Sequence, residues 1–173
     1  FWNRKSFKFC LNIHLKMFYK KEGYPEEDEL VICTVKQVLP HSVFCDLDEY
    51  KNKEGLLHIS EVAPGRIRNI RDYVIEGKKV VCKVLRIDKE RNHIDLSLRR
   101  VSLSKRTDKE REYKQEQKAE KLLEVAGEKL EMSLDEMYKK AGYAIINKYV
   151  LLHNFFQEVS QKGESLIIEL GID

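Results

Sequence analysis

Two ring-bearing residues, Phe44 and His58, carry the chemistry this chain is best equipped for. Each sits in a short run of alternating character, Val43-Phe44-Cys45-Asp46-Leu47 and Leu57-His58-Ile59. In such runs the flanking apolar side chains turn one way and the ring turns the other. A ring on the outer face of a sheet stacks on an unpaired base, each worth about 1–3 kcal/mol. Lys36, Lys83 and Arg86 fall where a nucleic-acid backbone would be followed, and Arg66 and Arg68 lie in the loop after His58. Guanidinium groups pair with phosphate and also stack on bases, which suits that loop to single-stranded RNA. The plainer readings are a Phe44 covered by a loop, a His58 in a local hydrogen bond, and arginines that bridge to acids of the same chain.

Reaction chemistry has no comparable signature. The five histidines and four cysteines offer no nucleophile–base pairing, and no G-x-x-x-x-G-K-[ST] phosphate loop occurs. Asp46 and Asp48 share one outward strand face, which fits either a cation site or, more simply, a solvated acidic strand. Cys10, Cys33, Cys45 and Cys82 include no C-x-x-C pair and no histidine at metal-ligand spacing. The last three fall at inward strand positions, where cysteine is a small apolar filler in a reduced, cytosolic chain. No catalytic residue, metal or cofactor is expected.

The formal net charge of +3 conceals a patterned distribution. Residues 22–65 hold ten acids and three bases, while residues 66–106 hold thirteen bases and five acids. A basic block beside acidic ones draws a polyanion to one place and discourages adsorption elsewhere. A solvated basic face without a partner is the alternative.

The elements that must position these residues are strands. Val31, Cys33 and Val35 share one face of a first run, and Val43, Cys45 and Leu47 one face of a second. Leu57 and Ile59 alternate with His58, Val80, Cys82 and Val84 with Val81, Lys83 and Leu85, and Ile94, Leu96 and Leu98 with Asp95 and Ser97. Five short antiparallel strands with a longer loop between the third and fourth predict a small closed barrel of the OB kind. Beyond Arg100 the period becomes helical. Ala119, Leu122, Leu123, Ala126 and Leu130 mark a first helix capped at Thr107 or Asp108. Ser133-x-x-Glu136 is a capping box opening a second, which Gly142 ends. Ile145, Ile146, Tyr149, Leu152, His153 and Phe156 mark a third that stops at Gly163. The fold class is thus a five-stranded OB-type barrel over residues 28–101 followed by a small helical domain over 102–173. Residues 17–27 form a lead-in, and 1–16 read as an upstream extension ahead of Met17, without a signal-peptide core. No run approaches the ~20 apolar residues of a membrane span.

Gly55-Leu56-Leu57-His58-Ile59-Ser60 resembles the G-L-V-H-I-S signature of S1 RNA-binding domains, and Gly77-x-x-Val80-x-x-Lys83-Val84-x-x-Ile87-Asp88 and Ile94-Asp95-Leu96-Ser97 resemble its last two strands. Arg66-Ile67-Arg68 and the boundary L-S-L-R-R-V-S are not general S1 features; with the other segments they resemble the alpha subunits of translation initiation factor 2, in their archaeal form. By that resemblance His41 stands where S1 domains have an aromatic, and His93 where the last strand often opens with arginine. Ala63 matches the phosphorylatable serine of eukaryotic members, so control by phosphorylation is not expected there.

The resemblance implies RNA partners: messenger RNA near the start codon, initiator tRNA and the small ribosomal subunit. It also implies a GTP-binding gamma subunit, reached through a C-terminal domain that this chain, ending at Asp173, lacks. An S1 accessory subunit of an RNA-degradation or transcription complex is the alternative.

Overall fold

The computed structural model describes residues 19–65 and 67–163. The extension at 1–16, with Cys10, and the loop residue Arg66 therefore lie outside the described residues.

Alternation builds the barrel as expected. Strands β1 (Leu30–Val38), β2 (Ser42–Leu47), β3 (Glu54–His58), β4 (Lys79–Asp88) and β5 (His93–Ser97) close in the order β1-β2-β3-β5-β4. The inward positions Val31, Cys33, Val35, Val43, Cys45, Leu47, Leu57, Cys82, Val84, Ile94 and Leu96 are buried in one core. Cys33, Cys45 and Cys82 are free, buried thiols, and contact with Cys82, together with burial, pushes the Cys33 thiol well up. Bulges between Val35 and Gln37 and between Val84 and Arg86 bend β1 and β4 so that the sheet can close.

One pairing differs from the antiparallel expectation. β3 and β5 run parallel, with Gly55 opposite Ile94 and Leu57 opposite Leu96. The long connection after β3 carries β4 round to β1. That leaves β5 to close against β3 in the same direction, a crossover only a long connection permits. Gly55 is required at this closure: a Cβ there would lie 2.4 Å from the Leu96 Cδ1.

The helical part starts earlier and breaks more often than its periodicity predicts. Helix α1 (Leu103–Lys129) is capped by the Ser102 hydroxyl, which accepts from the Lys105 N–H at 3.4 Å. Thr107 instead donates back to the Leu103 carbonyl at 3.0 Å, a bond made inside a helix rather than at its start. Ser133 and Glu136 form the expected capping box on α2 (Leu134–Met137). Gly142 does not end that helix. A single π-turn over 138–142 leads into α3 (Tyr143–Tyr149), and Gly142 has an ordinary helical φ of −56°. Its lack of a side chain makes room for the Tyr138 ring, 2.5 Å from where a Cβ would stand. The third helix of the periodicity is divided at Val150 (φ 67°), after which α4 (Leu152–Lys162) runs to the left-handed Gly163.

α1 lies against the barrel. Ile32 and Val81, outward residues of β1 and β4, are buried with Val101 and Tyr113 rather than facing solvent. Lys109 reaches Glu49 at 2.8 Å, and Glu49 also accepts from the Ile32 N–H at 2.9 Å, so one carboxylate joins helix and strand.

Candidate nucleic-acid interface

Register places four outward residues in one row across β2, β3, β5 and β4. Phe44 is opposite Leu56, Leu56 opposite Asp95, and Asp95 opposite Arg86. On the other flank Gln37 of β1 is the partner of Phe44. A groove of about 780 Å³ runs beside this row, and Lys36, Phe44, Leu56, Lys53, Arg91 and His93 are among its walls. Of the residues singled out by sequence, Lys36, Phe44 and His93 meet here. Phe44 is half-buried and lines the groove.

Sequence reasoning missed Lys53, Leu56 and Arg91. Lys53 and Arg91 belong to turns that the barrel brings to one end of the groove. Lys53 donates to the Asn92 side-chain oxygen at 3.0 Å, and its ammonium lies 3.6 Å from the Tyr24 ring centroid. The local signal was turn chemistry alone: Asn52 and Asn92, each at φ 53°, mark the two turns without indicating that they meet.

The electrostatics of the groove are mixed. Asp48 is not part of a solvated acidic strand: it is buried, accepts from the Thr34 hydroxyl at 2.8 Å and pairs with Lys79. Lys79 also reaches the Tyr113 hydroxyl at 3.3 Å, tying the floor of the groove to α1. Asp46 lies 3.7 Å from Lys36, which pairs more closely with Glu54.

The remaining sequence candidates stand elsewhere. Lys83 is half-buried and held by Asp28 at 2.7 Å. Arg86 is exposed at the end of the row. His41 is exposed in the turn before β2, and its carbonyl accepts from the Ile59 N–H at 2.9 Å. His58 makes the local contact that the plainer reading anticipated: its Nδ1 accepts from the Ser60 N–H at 3.3 Å and lies 2.8 Å from the Ser60 hydroxyl. With Nδ1 so occupied, the neutral ring carries its proton on Nε2 and offers a donor to solvent. Arg68 is exposed and forms no ion pair among the described residues.

Two signature segments meet at Glu61. Its carboxylate accepts from Ser97 at 2.7 Å and pairs with Arg99 and Arg100, each at 3.0 Å. Its backbone carbonyl accepts from the N–H groups of Leu98 and Arg99 at 2.9 and 3.0 Å. Arg100 above all, against some burial, with help from Ser97 and Arg99, holds the Glu61 carboxyl down at about 2. The S-E pair after β3 is thereby locked to the L-S-L-R-R boundary after β5, and the arginine loop departs from that anchor.

The model of the S1 RNA binding domain family matches residues 24–99. The chain is 46% identical over 154 residues to the translation initiation factor 2 subunit alpha of Methanopyrus kandleri, covering 88% of this chain and 58% of that protein. It is 45% identical over 148 residues to the corresponding subunit of Thermococcus kodakarensis, covering 86% and 54%. In a crystal structure of an initiation factor 2 alpha–aDim2p–rRNA complex from Pyrococcus horikoshii, a 43% identical chain superposes with TM-score 0.76, over 84% of this chain and 86% of that one. The chain belongs to the alpha-subunit family of translation initiation factor 2. The intact alpha subunit of Pyrococcus abyssi superposes with TM-score 0.80 at 42% identity, over 85% of this chain and 56% of that one. The chain spans a little over half the length of the curated alpha subunits it matches. As an initiation factor 2 alpha chain it carries Ala63 half-buried against the barrel core, followed by exposed Pro64 and Gly65. Alanine offers no hydroxyl to a kinase at that point.

Proposed function

We propose that this initiation factor 2 alpha chain is a non-catalytic, cytosolic RNA-binding part of the factor. Its barrel face contacts messenger RNA near the start codon, while the factor delivers methionyl initiator tRNA to the small ribosomal subunit in a GTP-dependent cycle. GTP hydrolysis in that scheme belongs to the gamma subunit. The observation that carries the reading is the groove beside the Phe44 row, within the segment matching the S1 RNA binding domain. One half-exposed aromatic, cationic groups at the groove end and an exposed Arg68 are what a single strand needs: a surface to stack on and charges along its backbone. Phe44 supplies the stack, and Lys36, Lys53, Arg91 and His93 line the path. Arg68, with its sequence neighbour Arg66, is assigned to the strand's backbone, while His41, His58, Lys83 and Arg86 are assigned to its margins.

The test is binding of the 173-residue chain to a short labelled single-stranded RNA across a salt series. Phe44→Ala and the double change of Arg66 and Arg68 to Ala are titrated beside it. Salt-dependent binding weakened by both variants supports the reading. Binding unchanged by either variant removes this face from RNA contact.

A further inference from the structure

Lys36 stands at the β1 bulge, next to Gln37, the partner of Phe44, and so beside the stacking ring. Its ammonium already has carboxylate partners. Glu54 holds it in a hydrogen-bonded ion pair, and the Asp46 carboxylate stands 3.7 Å away. Asp46 and Glu54 are themselves partners across β2 and β3, so two carboxylates from adjacent strands converge on one amine. The Glu54 bond first, then the Asp46 charge, keep the Lys36 ammonium above its ordinary range.

The arrangement contributes little to folding. The Lys36 and Glu54 side chains are 51% and 52% exposed, and pairs of that kind are weak in water. The other paired lysine of the groove, Lys79, is different: its partner Asp48 is 5% exposed and belongs to the seam with α1. Of these two pairs, the Lys36 pair is the one with which a ligand can exchange without disturbing the core.

We infer that the Glu54 carboxylate stands in for an RNA phosphate on Lys36, so that RNA binds this face by displacing it. The inference rests on the proposed RNA-binding role of the groove. A free strand must first break the internal pair and then tolerate the released carboxylate nearby. The face thus discriminates against loose RNA and favours RNA already held close by other contacts, whose effective concentration is high. Glu54 is in this sense an affinity-setting residue.

The experiment uses the 173-residue chain and a labelled oligouridylate of about ten nucleotides, near the footprint of one barrel of this type. Affinity is measured across a salt series for the unchanged chain, Glu54→Gln, Lys36→Met, the pair of changes together, and Phe44→Ala. Thermal denaturation checks that each is folded. Glu54→Gln is expected to bind about three- to five-fold tighter. Its log–log salt slope should steepen by about 0.7, one added phosphate contact on a single strand. In the Lys36→Met background the same change should yield a much smaller gain. An equal gain in both backgrounds means general repulsion and overturns the displacement. No gain from Glu54→Gln, while Phe44→Ala still weakens binding, overturns the inference and leaves the RNA face standing. No binding by any folded variant overturns both.

Discussion

The Glu116 carboxylate on α1 caps the helix that begins beside His153. It accepts hydrogen bonds from the backbone N–H groups of Leu152 at 2.8 Å and His153 at 3.0 Å, and lies 3.2 Å from the His153 Nδ1. Leu151, the residue before α4, has no side chain able to do this. A carboxylate borrowed from thirty-six residues away therefore satisfies the helix N-terminus, and its negative charge suits the dipole there. The left-handed Val150, an unfavourable conformation for a β-branched residue, persists beside this cap.

Removing that carboxylate should unfold the helical part first. Glu116→Ala leaves one buried N–H group, that of Leu152, and one partly buried N–H group, that of His153, without an acceptor, at a cost of about 2–4 kcal/mol. Glu116→Gln keeps an oxygen for one of them and should cost about half as much. Urea denaturation followed by circular dichroism reads both, and a loss under about 0.5 kcal/mol for Glu116→Ala would show that the cap is dispensable.

Acid should loosen the anchor of the arginine loop. The folded Glu61 carboxyl sits at about 2 against 4.5 when free, so its stabilisation is complete above pH 4.5 and is lost as pH falls towards 2. The loss is on the order of 1–2 kcal/mol, allowing for the solvent around Arg99 and Arg100. A pH series of thermal melts should show Glu61→Gln less stable at neutral pH and flatter between pH 4.5 and 2. Parallel curves for the two proteins would remove Glu61 as the source.

A side chain at Gly55 should destabilise the barrel. A methyl group there meets Leu96 at 2.4 Å and Leu47 at 3.2 Å, both fully buried, so Gly55→Ala must push the barrel wall apart. Overpacking of this kind costs about 1–3 kcal/mol. The expected result is a lowered melting temperature, with RNA affinity preserved at temperatures where the variant is folded. Loss of RNA binding without loss of stability would instead mean that the glycine serves a close approach by ligand.

The positive residues of the barrel should differ sharply in their effect on RNA binding. Lys53→Ala together with Arg91→Ala should weaken binding and lower the salt slope by about 1.4, two phosphate contacts. Lys83→Ala should change it little, because Lys83 is not among the residues that wall the groove. Phe44→Ala removes a stacking surface worth about 1–3 kcal/mol, roughly five- to 150-fold in affinity. Equal losses from Lys83→Ala and the Lys53/Arg91 pair would contradict this ranking.

Much of this was legible in the residues. Alternation around Cys33, Cys45, Leu57, Cys82 and Leu96 marked the inward faces, because in a strand a side chain's direction depends only on its parity. The Ser133–Glu136 box was equally plain, since both partners lie within one turn. The segments G-L-L-H-I-S-E and L-S-L-R-R-V-S marked the family. The apparent caps Thr107 and Gly142 misled for a shared reason: a cap is recognised by local type, whereas tertiary contacts decided whether the helix stopped there.

What this sequence determined by itself is therefore whatever is settled within a few residues: five strands, their inward faces, the change of period after Arg100 and a surface ring at Phe44. Tertiary structure alone decided the rest. It made β3 and β5 parallel, brought Lys53 and Arg91 to one end of a groove, bound Asp48 to Lys79, and gave Lys36 to Glu54 and Lys83 to Asp28. The physical reason is range. Backbone preference and side-chain parity act between neighbours. An ion pair or a cap depends on which distant groups closure and packing bring within about 4 Å, and at such distances charges choose partners irrespective of separation along the chain.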